Sequence, residues 1–548
     1  MTKPLPHKIH LEKGKKGSKL GFFILTLIVL GIIGIIIFGV TFIYPRILPQ
    51  SNLAEHLPAA ETVGYIEMDG LNLPTKLMAD GGQEKFIGFL SQLVEFEFQP
   101  AVKAFGTGKV AYVLLDVEGE VDKPVLLIQA KSKGTAMSYF KTLLLDSESV
   151  TESEDENAIY SFEQGQPYSF KFLDRYVAIS NDENLLEQLK KNPEKSLSAD
   201  PDYQKSINNL PRNKWLSGYL NVKKISLAKN EGTRNLLEPL KATLHNFAFT
   251  VRQDEKGFQL NTFLNLDKTL LSLSAKNPEE KFSHQLTDYL PSENLALYVG
   301  GQNFAEEWLN TLETLSNFNP SYGLILEGLV RGQTDKIFGT EVNLRNDLYP
   351  LFEGEYALAL GKTEQSNEIE LVLAHQDKAF VEKKMRKMAQ GFESIAASFA
   401  PKISVVTLPD GSESRELVPD DTTLNKVTDK VGDNEVNCTE VGSKTAFCYS
   451  VTDEVVVMAN SKELLEKSLK AKGTSSLSEG SAFKETTGNL SQISDEITFM
   501  NLERLNSLLA AYPYVQLLEP LTTQLDSASW VKQYFDDGVS TEGYVLLK

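Results

Sequence analysis

The chain has few of the side chains that most often bind metals. Its 548 residues include two cysteines and six histidines. Of the histidines, His245, His284 and His375 lie far apart in sequence, and the chain contains neither a Cys-x-x-Cys nor a His-x-x-x-His spacing. Zinc sites normally use such closely spaced pairs. The sequence therefore predicts no metal site and no cofactor.

Motifs for phosphate binding and nucleophilic catalysis are also missing or out of context. Gly106 and Gly361 imitate parts of nucleotide-binding loops, but a strand or a turn is predicted where a helix would have to point its amides at a phosphate. No Gly-x-Ser-x-Gly occurs, and the Ser-x-x-Lys sequences at Ser138, Ser226 and Ser481 lack an accompanying Lys-Thr-Gly. No catalytic residue is predicted, and the sequence favours a protein that is not an enzyme.

Charged side chains are absent from one long stretch, Leu20 to Tyr44, which covers 25 positions. A helix of this length reaches about 37 Å, enough to cross a hydrocarbon core of about 30 Å. The stretch is longer than the apolar core of a cleaved signal peptide, which has about 7 to 15 residues, and no small-residue cleavage pattern follows it. We predict a transmembrane helix over 20–44 that stays in the protein as a signal anchor.

The charges on either side of this stretch predict its orientation. Residues 1–19 contain six lysines and one glutamate, and positively charged flanks stay in the cytoplasm. The whole chain nevertheless carries a net charge of −19, so the part after the stretch is strongly acidic. We therefore predict a single-pass plasma-membrane protein with a cytoplasmic N-terminus and extracytoplasmic C-terminal domains.

This charge distribution also bears on the partners of the protein. An acidic extracytoplasmic part should repel nucleic acid, so nucleic acid is excluded as a partner. The predicted partners are the lipid bilayer, through the N-terminal helix, and proteins of the envelope. The sequence leaves the oligomeric state open.

Two parts of the chain resemble each other. ISNDENLLEQLKK matches MANSKELLEKSLK so that Asn181 falls on Asn460, and LPAAETVGYIEM from Leu57 resembles LPSENLALYVGG from Leu290. The matching segments occur in the same order in both copies, which indicates one ancestral unit that has been duplicated. We therefore predict a pair of related domains.

Each copy alternates short β-type runs with amphipathic helical patterns, which is typical of an antiparallel sheet with helices on one face. The predicted fold class is α+β: an N-terminal transmembrane helix followed by two duplicated domains, each an antiparallel sheet of hairpins packed with amphipathic helices. The predicted divisions are a basic cytoplasmic tail at 1–19, the transmembrane helix at 20–44, an extracytoplasmic stalk at 45–56, repeat domain 1 at 57–285, and repeat domain 2 at 286–548 with an insertion at about 401–436.

The two cysteines, Cys438 and Cys448, flank a predicted turn at 442–444. Pairing about that turn would place them directly opposite each other, where the Cα atoms of an antiparallel pair are about 4.5 to 5.5 Å apart, a distance that suits a disulfide. We predict a disulfide in an oxidising compartment, with two free thiols as the alternative. The first copy has no cysteine at the corresponding hairpin, so the bond would reinforce one hairpin locally.

Two features of this sequence occur in the same order in a known family. One is the entry sequence LPAAETVGY at 57–65, and the other is a strand–Asn/Asp–helix segment followed by Ser-Leu-Ser before an aromatic residue. In these features the chain resembles the bacterial membrane-anchored family catalogued as domain of unknown function 3352, over most of residues 57–548. The resemblance implies an envelope location. It implies no activity and no catalytic residue.

The function favoured by the sequence is that of a non-catalytic interaction or scaffold module of the bacterial cell envelope. One alternative is an envelope hydrolase whose active site is not visible as a sequence motif. Another is a carrier of a lipid or other apolar ligand, held between the two domains. The insertion at 401–436 is either a binding loop or a tolerated, mobile addition.

Overall fold

The structure is a computed structural model. It describes residues 53–69, 98–116, 124–143, 158–163, 167–189, 195–211, 214–225, 243–267, 284–363, 366–398, 402–409, 412–418, 424–441, 445–491, 494–509, 525–535 and 538–548. The predicted membrane span, Leu20 to Tyr44, lies outside these residues. Within them, no helix has both the length and the apolar character that crossing a membrane requires.

Nineteen of the described strands form one antiparallel sheet. Across the sheet the neighbouring strands are β4 (Ile159–Glu163), β5 (Pro167–Leu173), β6 (Tyr176–Ser180), β3 (Pro124–Ala130), β2 (Gly106–Leu115), β1 (Thr62–Asp69), β7 (Leu216–Asn221), β8 (Leu244–Gln253), β9 (Gly257–Leu266), β21 (Gly538–Leu547), β20 (Leu525–Phe535), β19 (Glu496–Asn501), β10 (Leu295–Gln302), β11 (Glu355–Lys362), β12 (Asn367–Ala374), β18 (Val455–Ala459), β17 (Thr445–Val451), β16 (Asn434–Val441) and β15 (Leu424–Val431). A separate hairpin consists of β13 (Lys402–Thr407) and β14 (Glu413–Val418).

This sheet corrects the predicted fold class. The prediction of two domains with a sheet each is wrong, because β9 of the first half pairs with β21 of the second half, from Leu546 opposite Gly257 to Gly538 opposite Asn265. Each of these strands ends a hairpin and would otherwise present a row of unpaired backbone groups. Pairing satisfies both rows at once, and the two halves share one continuous sheet.

The two halves nevertheless repeat the same local hydrogen bonds. In the first half an isolated bridge joins Pro58 to Ser196, and the Leu197 amide donates to the Leu57 carbonyl at 2.7 Å. In the second half Pro291 pairs with Ser476, and the corresponding Leu477 to Leu290 bond is also 2.7 Å. The domain boundaries at 57–285 and 286–548 stay predictions.

The α-helices of the described residues are α1 (Phe98–Phe105), α2 (Lys133–Leu143), α3 (Glu183–Gln188), α4 (Pro201–Asn208), α5 (Phe304–Phe318), α6 (Pro320–Phe338), α7 (Lys378–Ser398), α8 (Lys462–Ala471), α9 (Ser481–Thr487) and α10 (Leu502–Leu509). A side-chain oxygen caps the N-terminus of each of the equivalent helices α3 and α8. Asp182 accepts from the Asn184 amide at 3.0 Å and Ser461 from the Leu464 amide at 3.1 Å, so each satisfies an amide that the first helical turn leaves unpaired.

Helices cover both faces of the sheet, whereas the sequence predicted one covered face. β3 shows the reason. Its run PVLLIQA is apolar at successive positions, so Leu126 and Ile128 join one core cluster with α1 and α2, while Leu127 joins another with α3 and α4. A strand buried on both sides reads as a continuous apolar run and not as an alternating one.

Candidate functional site

Helix α6 lies at the surface of the second half. Of its nineteen residues only Gly323 and Thr334 are buried. On the opposite side, Leu324, Ile325 and Leu329 are 71%, 58% and 45% exposed. Large apolar side chains grouped on one solvent-facing helix surface are typical of contact sites. We call Leu324, Ile325, Gly328, Leu329 and Gly332, which share this side of α6, the α6 face.

The two glycines of the α6 face leave it open. A side chain added at Gly328 or Gly332 would meet no described atom within 4 Å. The other glycine of this helix is different, since a Cβ at Gly323 would lie 2.8 Å from the Leu312 carbonyl of α5. Gly323 is therefore needed for the packing of α6 on α5, whereas Gly328 and Gly332 flatten the exposed side.

α6 lies against helices of opposite charge. It packs on both α5 and α7. α5 contains no Lys or Arg and carries Glu306, Glu307 and Glu313. α7 has five basic residues against two acidic ones, the basic residues being Lys378, Lys383, Lys384, Arg386 and Lys387. α6 thus contacts one acidic and one basic helix.

Ion pairs hold α6 to the chain that follows it. The Arg345 guanidinium donates two parallel hydrogen bonds to the Glu327 carboxylate, Nε to Oε1 at 2.9 Å and Nη2 to Oε2 at 3.0 Å. The hydrogen bonds from Arg345 lower the pKa of Glu327. Such a bidentate pair fixes the direction of both side chains.

Asp347, in the short turn after α6, is a buried anion bound by α7. Lys384 donates to Oδ1 at 2.9 Å and Lys387 to Oδ2 at 2.5 Å, and the Asn343 amide donates to Oδ2 at 2.9 Å. Burial alone would raise the pKa of Asp347, but these hydrogen bonds from Lys387, Asn343 and Lys384 outweigh it and lower the pKa to about 2. These contacts link the turn after α6 to α7.

A second exposed apolar surface lies in the insertion. The structure shows that the insertion contains the β13–β14 hairpin, the whole of β15 and the first residues of β16, and that β15 extends the edge of the main sheet. On the separate hairpin, Ile403, Val405 and Val406 are all exposed, Ile403 by 65%. An isolated two-stranded hairpin is at best marginally stable in water.

The two cysteines lie where the sequence predicts. Cys438 of β16 and Cys448 of β17 are directly opposed, with Cα atoms 4.1 Å apart, and they form a disulfide. In the first half the directly opposed residues of β4 and β5 include Ser161 and Ser169, whose hydroxyls are 3.2 Å apart. Both serines donate to Oε1 of Glu183, at 3.0 and 2.8 Å.

The described Ser-x-x-Lys sequences and the glycines that imitate nucleotide-binding loops lie in ordinary helices, strands and turns. Ser138 donates to the Gly134 carbonyl within α2, and Lys484 of the third Ser-x-x-Lys bonds Glu479 at 2.7 Å. Ser226 lies outside the described residues. Gly106 begins strand β2, and Gly361 lies in β11, just before the turn that Thr363 forms.

The three histidines remain apart. His245 has Asp267 at 3.4 Å and Asp202 at 3.9 Å, whereas His284 and His375 lie elsewhere, and burial lowers the pKa of His284. In the part of the chain that the structure describes, no group of three or more His, Cys, Asp or Glu is placed to hold a metal ion.

The side chain of Glu370 is an unusual buried carboxyl group. Glu370 of β12 is 2% exposed, and its Oε1 has no hydrogen-bond partner among the described residues. Burial raises the pKa of Glu370 to about 8; a hydrogen bond with Ser468 lowers it only in part, and the charge of Glu368 adds to the increase. The group is therefore largely protonated at neutral pH.

The comparisons with known proteins identify the family. The model of the family described as "Protein of unknown function (DUF3352)" matches residues 116–529, well over half of the chain. The chain belongs to this family. The suggested resemblance is thereby confirmed. Among curated proteins, none matches this DUF3352 member significantly.

Two solved structures show a limited likeness to this DUF3352 protein. They are described as crystal forms IV and III of TP0453, both with 11% sequence identity. The matches cover 40% of this chain and 81% and 80% of those chains, with TM-scores of 0.23 and 0.21.

The α6 face of this DUF3352 member was not predicted from its sequence. The signal was present in PSYGLILEGLVRGQ, where apolar residues and glycines recur on more than one side of the helix. It was not decisive, because a helix that is apolar on several sides usually lies in a core. Only the packing on α5 and α7 shows which side is left exposed.

Proposed function

We propose that this protein is a membrane-anchored, extracytoplasmic interaction or scaffold module of the bacterial cell envelope, without catalytic activity, and that the α6 face is its contact surface. The observation that carries the proposal is the exposure of Leu324, Ile325 and Leu329 on one side of a surface helix. Burying one such side chain in a complex is worth about 1.5 to 3 kcal/mol. A contact on the α6 face would therefore gain several kcal/mol before the cost of association.

The location is supported by the sequence. The uncharged stretch Leu20 to Tyr44 follows a lysine-rich tail and precedes an acidic chain, which favours an N-terminus inside and a C-terminus outside. Protease added to intact cells should digest the acidic part and spare a tag placed before residue 20. Digestion of that tag alone would contradict the orientation.

A direct test of the contact surface compares two pairs of substitutions in the full chain. Leu324→Asp with Leu329→Asp should abolish cross-links to neighbouring proteins in native membranes, because the charged side chains cannot be desolvated cheaply. Ile403→Asp with Val405→Asp on the β13–β14 hairpin is the matched control, since these residues are similarly exposed. Loss of cross-links with the hairpin pair alone would move the contact surface to the insertion.

The two alternatives make different predictions. An envelope hydrolase would turn over substrates in an unbiased hydrolase screen of the full chain, and any such turnover would contradict a non-catalytic role. The carrier alternative places an apolar ligand between the two halves. In the structure that boundary is the β9–β21 strand pair. A lipid that co-purifies with the chain in a fixed ratio would favour the carrier.

A further inference from the structure

We propose that Glu370 is a proton-dependent switch for the helix that covers it: α8 packs on the sheet while the Glu370 carboxyl is protonated and opens from the sheet when that carboxyl ionises. The inference concerns residues outside the α6 face and does not depend on the proposed contact surface. It follows from where Glu370 lies, what covers it, and which residue occupies the same position in the first half.

Glu370 lies in the middle of the sheet. Its strand, β12, is paired on both sides, and the residues directly opposite Glu370 are Ala359 of β11 and Ala459 of β18. Both alanines belong to the apolar core cluster that contains Leu464 and Leu465 of α8. Glu370 is buried, and its Oε1 has no hydrogen-bond partner among the described residues. An ionised carboxylate at this position would lie in an apolar layer, out of reach of solvent.

The polar contact that α8 makes with Glu370 compensates a charge poorly. Ser468 is fully buried and hydrogen-bonds the Glu370 carboxyl group. The same hydroxyl donates to the Leu464 carbonyl at 2.8 Å. Its single proton therefore has two acceptors once Glu370 is ionised, whereas a protonated Glu370 supplies a proton of its own.

The charged groups of β12 and α8 do not neutralise the carboxylate. The charge that acts on Glu370 is the like charge of Glu368 on the same strand. The buried residues of α8 carry no charge. Its lysines pair with acids at the surface: Lys462 with Asp429 at 2.7 Å, Lys467 with Glu463 at 3.0 Å and Lys470 with Glu466 at 3.5 Å.

The short 3-10 helix Gln285–Tyr289 also packs against β12 and α8. Its titratable groups are Asp288, which is an acid itself, and Tyr289, whose ring centroid lies 5.2 Å from the Lys472 ammonium. None of these groups is among the charges that act on Glu370. Once ionised, Glu370 is therefore stabilised only by contact with water, which requires the structure above it to open.

α8 is the element that can expose Glu370 at the least cost. β11 and β18 each pair with a strand on both sides, whereas α8 is a ten-residue helix held by four buried side chains. The pairs Lys467–Glu463 and Lys470–Glu466 lie within the helix, so α8 keeps them as it moves. Elements with few buried contacts open locally without global unfolding.

The first half contains the same arrangement without the carboxyl group. From the match of Asn181 with Asn460, the position of Glu370 corresponds to Val125 of β3. Val125 is fully buried and shares a core cluster with Leu185 and Leu186 of α3. Because valine cannot ionise, α3 is a control for α8 within the same molecule.

The opening of α8 should follow the titration of Glu370. The pKa of Glu370 is about 8 in the closed state and near 4.5 once the group is exposed. The opening constant should therefore be constant below about pH 4.5, rise about tenfold per pH unit up to about pH 8, and be constant above it. Between pH 6 and pH 8 the increase is about fiftyfold.

Amide hydrogen exchange of the full chain at pH 6 and pH 8 measures this opening. Each rate is divided by the rate of the unstructured peptide at the same pH. Protection of α8 should fall about fiftyfold, while protection of α3 should not change. Equal changes in the two helices, or a loss of protection throughout the second half together, would overturn the proposal.

Substitutions at Glu370 test the cause. Glu370→Gln should remove the pH dependence of α8, and so should Glu370→Val, which places the residue of the first half in the second and leaves no polar group unpaired. Glu368→Gln is the matched control and should retain most of the effect. A fiftyfold change that persists in either Glu370 variant would overturn the switch.

Thiol labelling gives a second measurement. Leu465 of α8 and Leu186 of α3 are equivalent and fully buried. The labelling rate of Leu465→Cys, divided by that of Leu186→Cys, should rise about fiftyfold from pH 6 to pH 8, because the effect of thiolate formation cancels in the ratio. A ratio that does not depend on pH would overturn the proposal.

Discussion

At the scale of single residues, the most informative side chain is Glu370. A carboxyl in an apolar core is stable when protonated, because the neutral form avoids the cost of burying a charge. Its raised pKa, about 8, means that the folded chain binds a proton that the unfolded chain, with a pKa near 4.5, releases. Stability therefore depends on pH at this position.

We expect Glu370→Gln to remove that dependence. The stability that protonation of Glu370 provides is fully present below about pH 4.5 and is lost as the pH rises through about 8, on the order of a few kcal/mol in total. Urea unfolding at pH 5, 7 and 9 should show a smaller fall in the free energy of unfolding for Glu370→Gln than for the original chain. Glu413→Gln, on the separate hairpin, is the control. Equal pH slopes for all three proteins would contradict the burial of an unpaired carboxyl.

The contribution of Asp347 to stability depends on pH in the opposite direction, because the pKa of Asp347 is lowered. Its contribution to stability is present above the unfolded value of about 3.8 and is lost as the pH falls through about 2. Asp347→Asn should therefore lower the free energy of unfolding by about 2 to 3 kcal/mol at pH 7 and by much less at pH 2. Chemical denaturation at the two pH values measures the difference. A loss of equal size at both would mean that the carboxylate charge is not what Lys384 and Lys387 recognise.

At the scale of elements, equivalent hairpins of the two halves are held together by different interactions. The hairpin β16–β17 is closed by Cys438–Cys448, and the hairpin β4–β5 by Ser161 and Ser169 with Glu183. A hairpin of this kind thus forms without a covalent bond in the same molecule. The disulfide adds local stability and does not determine the fold.

We accordingly expect Cys438→Ser with Cys448→Ser to fold normally. The disulfide joins residues only 10 positions apart and therefore closes a short loop. Its loss should lower the melting temperature by an amount equivalent to at most about 3 kcal/mol. The original chain with a reductant should show the same decrease, and the double variant should not respond to the reductant. Failure of the double variant to fold would show that the second half depends on the bond.

The individual elements could largely be predicted from the sequence, but the way they assemble could not. The hairpin about 442–444 and the opposition of Cys438 and Cys448 follow from alternation and turn residues, which act locally. The α6 face could not be predicted, because an apolar helix in sequence does not reveal which of its sides a neighbouring helix covers. The role of Asp347 depends on two lysines about forty positions away, a distance that no sequence periodicity records.

At the scale of the whole molecule, the joining of the halves was the part that sequence could not predict. β9 and β21 each carry an ordinary strand pattern, and nothing in that pattern tells an edge strand from a central one. Side chains on both sides of the junction also share a core cluster, for example Phe258 of β9 and Val545 of β21, which are directly paired. Lys256 adds a salt bridge to Glu485 at 2.6 Å. The two halves therefore share one sheet and part of one core cluster.

This predicts that cutting the chain between the halves will not separate them. A protease site introduced into 268–283 of the full chain should be cleaved while both fragments still elute together on gel filtration, and they should separate only in denaturant. Phe258→Ala with Val545→Ala should make the cleaved fragments dissociate more readily, because each truncation of a buried side chain costs about 2 to 5 kcal/mol at the junction. Fragments of the original chain that separate at once, each folded and monomeric, would mean that the β9–β21 pair does not join the halves in solution.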